Sequence, residues 1–195
     1  MPPFPGAGPA PGGVPIYLAA VNRVMAATAG RCADGVLGHP MTSPAWIRDV
    51  LRPSVERGAK EASRDPGEVN VTTGVVAAVS TDREEARREA ALHIAFYATT
   101  RTYRPVLELH GFQDRLEPLR RAFVKKDFEA MTEIALPMVD SLAVAGRAEE
   151  CRDRLAGFEG LVERVIVGGA WIGASEERLL DNHRAVVETF APGRS

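Results

Sequence analysis

The sequence predicts an α/β fold, a parallel sheet covered by helices, on three observations. Short apolar runs alternate with amphipathic stretches, the helical stretches open on recognisable capping residues, and the strand runs stay apolar without a polar face. A run such as Ile16-Tyr17-Leu18-Ala19 needs cover on both faces, and parallel strands need crossover helices, which supply that cover. Those crossovers are expected to be right-handed.

The 195 residues carry 24 Lys+Arg against 26 Asp+Glu, a net charge of −2, so neither nucleic acid nor an acidic membrane surface is an expected partner. At 45% apolar and 26% charged, the chain is long enough for one sizeable core. Cys32 and Cys151 lie far apart and outside any C-x-x-C pattern, which argues against a disulfide framework or a cysteine zinc site. Residues 1–15, MPPFPGAGPAPGGVP, hold ten Pro or Gly and read as an extended arm that joins no packed core. The sequence shows neither a signal-peptide pattern nor an apolar stretch of about 20 residues, so a cytoplasmic location is expected.

From Ile16 the elements follow in order. Asn22 caps a helix that Gly30 is expected to end in a left-handed conformation. Gly35-Val36-Leu37-Gly38 is the second strand. Ser43-Pro44 opens a helix to about Ser63, with Ile47, Leu51, Val55 and Ala59 as its buried stripe and a kink at Pro53. Arg64 to Gly67 is a turn. Val69 to Val79 is the third strand, with Gly74 marking a bulge. Thr81-Asp82-Arg83-Glu84 is a capping box for a helix over 82–97. Residues 99–140 lack strand patterning and read as a helical insertion; with Phe96 and Tyr97 just upstream, it gathers half of the twelve aromatics. Ala148, Cys151, Leu155 and Phe158 share one helix face. Val165-Ile166-Val167 is the fourth strand, and Ser175 caps a last helix with a stripe of Leu179, His183, Val186 and Phe190.

In such folds ligands gather at the carboxyl ends of the strands. The loop after the first strand, Ala19-Ala20-Val21-Asn22, feeds a helix whose free N–H groups suit a phosphate, or it is a plain βα turn. The loop Gly35-Val36-Leu37-Gly38-His39-Pro40 lets backbone approach a ligand and sets an imidazole at the strand end. Gly168 to Ser175 is glycine-rich and opens a helix, as a phosphate site or as a tight turn; it is neither a P-loop nor a dinucleotide fingerprint. His93 and His183 read as core or interface residues, and no metal-ligand spacing is present. Arg120, Arg121, Lys125 and Lys126 form a basic cluster that reads either as a solvated helix face or as an attraction for an anionic cofactor tail.

The segment PIYLAAVNRVMAATAGRCADGVLGHPMTSPAWIRDVLRPSVERGAKEASRDP (15–66) resembles the luciferase-like monooxygenase family, especially its branch using the deazaflavin coenzyme F420. AFYATTRTYRPVLELHGF (95–112) and DSLAVAGRAEECRDRLAGFEGLVERVIV (140–167) resemble the same branch. The resemblance implies a (β/α)8 barrel and an oxidoreductase that transfers hydride or activates oxygen. It implies that F420, or alternatively FMN, is held along Ala19 to Asn22 at its phosphate and along Gly35 to Pro40. A whole barrel needs about 250 residues and eight strands, so the chain corresponds to the second half only, a partial TIM-type barrel of about four βα units over 16–191. No catalytic residue carries over. Open sheet edges predict a homodimer or a separate N-terminal half-barrel as partner, and the competing reading is a noncatalytic cofactor-binding or assembly module.

Overall fold

The computed structural model describes residues 13–191, so most of the Pro/Gly-rich arm lies outside the described residues. The strands are β1 (Tyr17–Ala20), β2 (Gly35–Gly38), β3 (Asn70–Val79), β4 (Val144–Gly146) and β5 (Arg164–Gly169). Every pairing among them is parallel, as the alternation of elements predicts. The helices are α1 (Arg23–Cys32), α2 (Pro44–Trp46), α3 (Arg52–Glu61), α4 (Arg83–Ala98), α5 (Arg104–Leu109), α6 (Leu116–Val124), α7 (Phe128–Ala135), α8 (Val139–Leu142), α9 (Ala148–Ala156) and α10 (Glu176–Phe190). No helix among the described residues is long and apolar enough to cross a membrane.

β3 organises the sheet. Thr72 and Thr73 pair with Leu37 and Gly38 of β2 and also with Arg164 and Val165 of β5, so β2 and β5 occupy opposite edges. Ala77 pairs with both Val144 of β4 and Gly169 of β5. β4 therefore sits end to end with β2 along one edge, and the four longer strands run β1, β2, β3, β5. Where β5 stops, a side chain takes over: Asn182 of α10 donates to the Ala77 carbonyl and accepts from the Val79 N–H at 2.8 Å. Glu163, just before β5, accepts from the Arg52 guanidinium and the Val71 N–H, tying α3, β3 and the start of β5 together.

Several sequence expectations are corrected. There are five strands rather than four, because three buried residues of β4 find an edge on β3 that no local pattern announces. The β3–β5 register runs without interruption through Gly74 and Ile166, so Gly74 is no bulge. Its missing side chain leaves room for Pro40, whose Cγ would stand 2.7 Å from an added Cβ. The helix after Ser43 is broken by a π-helical turn at Ile47–Leu51, in which the Arg52 N–H reaches back five residues to the Ile47 carbonyl. Pro53 follows it in the first turn of α3, where its missing N–H is tolerated. The cap of α4 is Asp82, not Thr81; its carboxylate accepts from the N–H groups of Glu84 and Glu85. α9 ends at Ala156, so Phe158 lies past the helix although it is buried. In α10 the buried side is Asn182, Val186 and Thr189, and His183 is exposed.

Gly30 also differs from expectation. It lies inside α1 and outside the left-handed region, and its missing side chain serves packing instead: an added Cβ would stand 2.1 Å from the Val55 carbonyl oxygen of α3. Gly58 of α3 is its counterpart, with an added Cβ 1.9 Å from the Ala27 carbonyl oxygen. The two helix backbones touch through this reciprocal pair, and Val36 on the sheet beneath them is fully buried.

Paired residues of a parallel sheet share a face and alternate along each strand. Val36, Gly38 and Val71 thus face the α1–α3 layer, where the Leu51 side chain would lie 3.6 Å from a Cβ on Gly38. The opposite face carries Ala19, Leu37, Gly74, Ile166 and Gly168, and Ala19, Ile166 and Gly168 on it are exposed. The helix contact yields a direct test: Gly58→Ala should cost about 3 kcal/mol or more in urea unfolding, because backbone must move apart. Gly168→Ala, whose added Cβ meets its nearest atom at 3.7 Å, should change stability by less than about 0.5 kcal/mol.

Candidate functional site at the strand rim

Ala19 and Ala20 pair with Leu37 and Gly38, which puts the two predicted stretches, 19–22 and 35–40, side by side at the carboxyl ends of neighbouring strands. Adjacent strands stand about 4.8 Å apart, so one small molecule can touch both. Asn22 caps α1 as expected: its side-chain oxygen accepts from the N–H groups of Val24 and Met25 at 3.0 and 2.9 Å. Those two amides are consumed, and an anion at this end would meet amides preceding Val24. Val21 and Asn22 are half-buried, Ala19 is exposed and Ala20 is buried.

In the second stretch Gly35, Val36 and Gly38 are buried while Leu37, His39 and Pro40 are half-buried. Proline ends the ladder here. With Gly38 opposite Thr73, the next amide toward β3 would come from residue 40, which has none. The chain lifts off the sheet and carries His39 with it. The His39 Nδ1 accepts from the Met41 N–H at 3.1 Å, and its Nε2 lies 2.9 Å from the Tyr103 hydroxyl.

His39 belongs to a continuous cluster of rings. Its centroid lies 4.7 Å from Tyr103 and 4.8 Å from Tyr97, Tyr97 lies 5.3 Å from His93, and His93 lies 5.8 Å from Trp171. The cluster joins the loop after β2, helix α4, the segment entering α5 and the loop after β5. His93 is 4% exposed, in keeping with the core role expected for it, and its Nδ1 accepts from the Trp171 N–H. Burial holds its pKa down at about 4, with a smaller contribution from His39. Burial likewise lowers His39, so both imidazoles are neutral near pH 7. Sequence reasoning singled out His39 but not its partners; the concentration of aromatics between Phe96 and Phe128 was the available signal.

A second imidazole ties the same two segments together. The His110 Nε2 lies 2.8 Å from the Ser43 hydroxyl, which also accepts from the Trp46 N–H as the cap of α2. In the glycine-rich stretch 168–175, Gly168 and Gly169 close β5 and the segment after them packs on α4: Gly173 has φ +78°, and a Cβ there would meet Leu92 at 2.5 Å. Ser175 caps α10 through the Arg178 N–H. In the basic cluster, Arg120 donates to the Thr99 carbonyl, while Arg121, Lys125 and Lys126 are exposed. A cavity of about 550 Å³ opens away from the rim stretches, with Val79, Thr81, Arg147, Arg152 and Glu188 in its wall. Cys32 and Cys151 are both free, and burial pushes the Cys151 thiol up to about 11, an inert setting. No cluster of metal-ligating residues occurs among the described residues.

Neutral His93 has a thermodynamic consequence. Its folded pKa is depressed from 6.5 to about 4, so below the unfolded value the unfolded chain binds a proton that the folded chain refuses, and stability falls as pH drops through this window. The loss attributable to His93 should reach up to about 3 kcal/mol near pH 4. Urea titrations between pH 7 and 4 should show a shallower loss for His93→Phe than for the parent chain.

Comparison with known proteins sets this geometry in context. The family model for luciferase-like monooxygenases matches residues 2–163. An uncharacterized protein of Mycobacterium tuberculosis is 35% identical over 175 residues, which cover 87% of this chain and 51% of that protein. The 5,10-methylenetetrahydromethanopterin reductase of Methanolobus tindarius is 30% identical, with 87% and 52% covered. Among solved structures, the coenzyme F420 dependent tetrahydromethanopterin reductase from Methanopyrus kandleri superposes with a TM-score of 0.69 at 26% identity, over 86% of this chain and 48% of that one. The chain spans about half the length of the curated relatives it matches. The parallel βα sheet is that of a partial (β/α)8 barrel, and with a family model matched over most of its length the chain belongs to the luciferase-like monooxygenase family.

Proposed function

We propose that this chain forms the cofactor-holding half of an F420-dependent oxidoreductase, with FMN as the alternative cofactor, acting by hydride transfer or monooxygenation on a small organic substrate. The observation that carries the reading is the adjacency of 19–22 and 35–40 at one rim, with Ala19 exposed and Leu37 half-buried beside it. Ala19 and Leu37, paired on neighbouring strands, offer an accessible edge of the sheet against which a planar ring system can lie, and the small side chain of Ala19 leaves room for it. Amides preceding Val24 suit the phosphate end. When bound, the deazaflavin supplies the hydride chemistry; the chain's own residues orient the ring and screen it from water. The coenzyme F420 dependent structure from Methanopyrus kandleri supports the choice of cofactor.

Apolar residues exposed along both flanks of the sheet imply a partner. Exposed Val14, Ile16 and Val24 flank the β1 edge, and exposed Ile166, Trp171, Leu180 and Val187 lie toward the β5 side. Four more strands, from an N-terminal half-barrel or a second copy, would pair both edges and cover these residues. The half-length match also favours a second reading, a noncatalytic cofactor-binding module.

Fluorescence titration of F420, with FMN in parallel, tests both readings, using the chain alone and mixed with the N-terminal half of a family member. Saturable F420 binding is expected, at least about tenfold weaker in Ala19→Trp. Failure of both cofactors to bind under both conditions overturns the proposal, and binding without substrate-dependent turnover by the completed barrel selects the noncatalytic module.

A further inference from the structure

The hydrogen bonds around His39 fix which way protons point. Because the Met41 N–H donates to Nδ1, the neutral ring carries its proton on Nε2 and donates it to the Tyr103 oxygen. The Tyr103 phenol proton is then not directed at His39, and Tyr103 makes no other hydrogen bond among the described residues. It is a half-buried O–H donor without an acceptor, beside the loop that ends β2.

Its placement is rigid. The segment Tyr103 to His110 is pinned to the loop 39–43 at both ends, by the bond between Tyr103 and His39 and by that between His110 and Ser43. Val106 and Leu107 between them are buried, and the Tyr97 ring stands edge-on to Tyr103 at 5.7 Å. A donor held between the His39 and Tyr97 rings loses little entropy when an acceptor arrives.

We propose that Tyr103 is the hydrogen-bond donor this rim presents to a carbonyl-bearing organic ligand, with His39 as the positioning residue that keeps the phenol proton free. The inference rests on the reading of the rim as the place where the organic substrate meets the cofactor, and it names the substrate class by its acceptor oxygen. Burial raises the Tyr103 pKa and lowers that of His39, so the pair stays neutral and in this tautomer through the physiological range.

Two measurements on the full chain test it. Nitrogen-15 NMR of the imidazoles should show His39 unprotonated at Nδ1 and protonated at Nε2; the reverse tautomer overturns the proposal, since the phenol would then donate to the ring. Acetophenone serves as the carbonyl probe. Its C=O stretch should shift to lower wavenumber on binding, and the shift should vanish in Tyr103→Phe and persist in Tyr97→Phe. Affinity for the probe should fall roughly three- to tenfold in Tyr103→Phe while F420 binding stays unchanged. A shift that survives Tyr103→Phe, or a chain that binds F420 but not acetophenone, overturns it. Loss of F420 binding in the parent chain refutes the underlying cofactor reading instead.

Discussion

The structure depends on β3, the strand that pairs with three of the other four. It pairs with β2 and β4 along one edge and with β5 along the other, and all of its residues except Asn70 are buried. A strand in that position needs a backbone partner at each residue, because an unpaired buried amide or carbonyl costs about as much as a lost hydrogen bond. Much of the remaining architecture answers this demand. β4 extends the edge beyond β2, and Asn182 supplies a carboxamide beyond β5.

The same demand explains why the rim is built from loops after β1 and β2. Both strands are only four residues long, so their chains leave the sheet while β3 continues past them. The departure is enforced at Pro40, which offers no amide for the next rung. His39 is thereby raised toward α4 and Tyr103, and the loop after β5 joins the same ring cluster through Trp171 and His93. Elements distant in the chain meet at the rim because the longest strand carries them to a common height.

Much of this was legible in the sequence, where the determinants are local. Asn22, Ser43 and Ser175 cap the helices assigned to them, since a cap needs only a short polar side chain beside free amides. His39 was recognisable by its place at a strand end. Determinants that act across the chain were hidden. Gly30 looked like a helix stop because nothing near it in sequence reveals the Val55 carbonyl against which it packs. β4 has three residues, too few for a period to show. The partner of His39 lies 64 positions away, and a tyrosine before a short helix carries no local mark of that bond. His183 was placed on a buried stripe because Leu179, Val186 and Phe190 repeat at helical spacing. The burial of Asn182 against the β3 edge sets the rotation of the helix, and His183 beside it is exposed next to Gly169 of β5.

The contact between α1 and α3 through Gly30 and Gly58 carries a mechanical implication. Helices separated by side chains can slide by exchanging rotamers, whereas two backbones in touch have no such slack between them. The first two βα units therefore form a stiff plate, and a displacement of Asn22 at one corner is transmitted to the start of α3 at the other. Any compliance at the rim must come from the opposite flank, where the rings of Tyr97 and Tyr103 meet His39 at the plate edge.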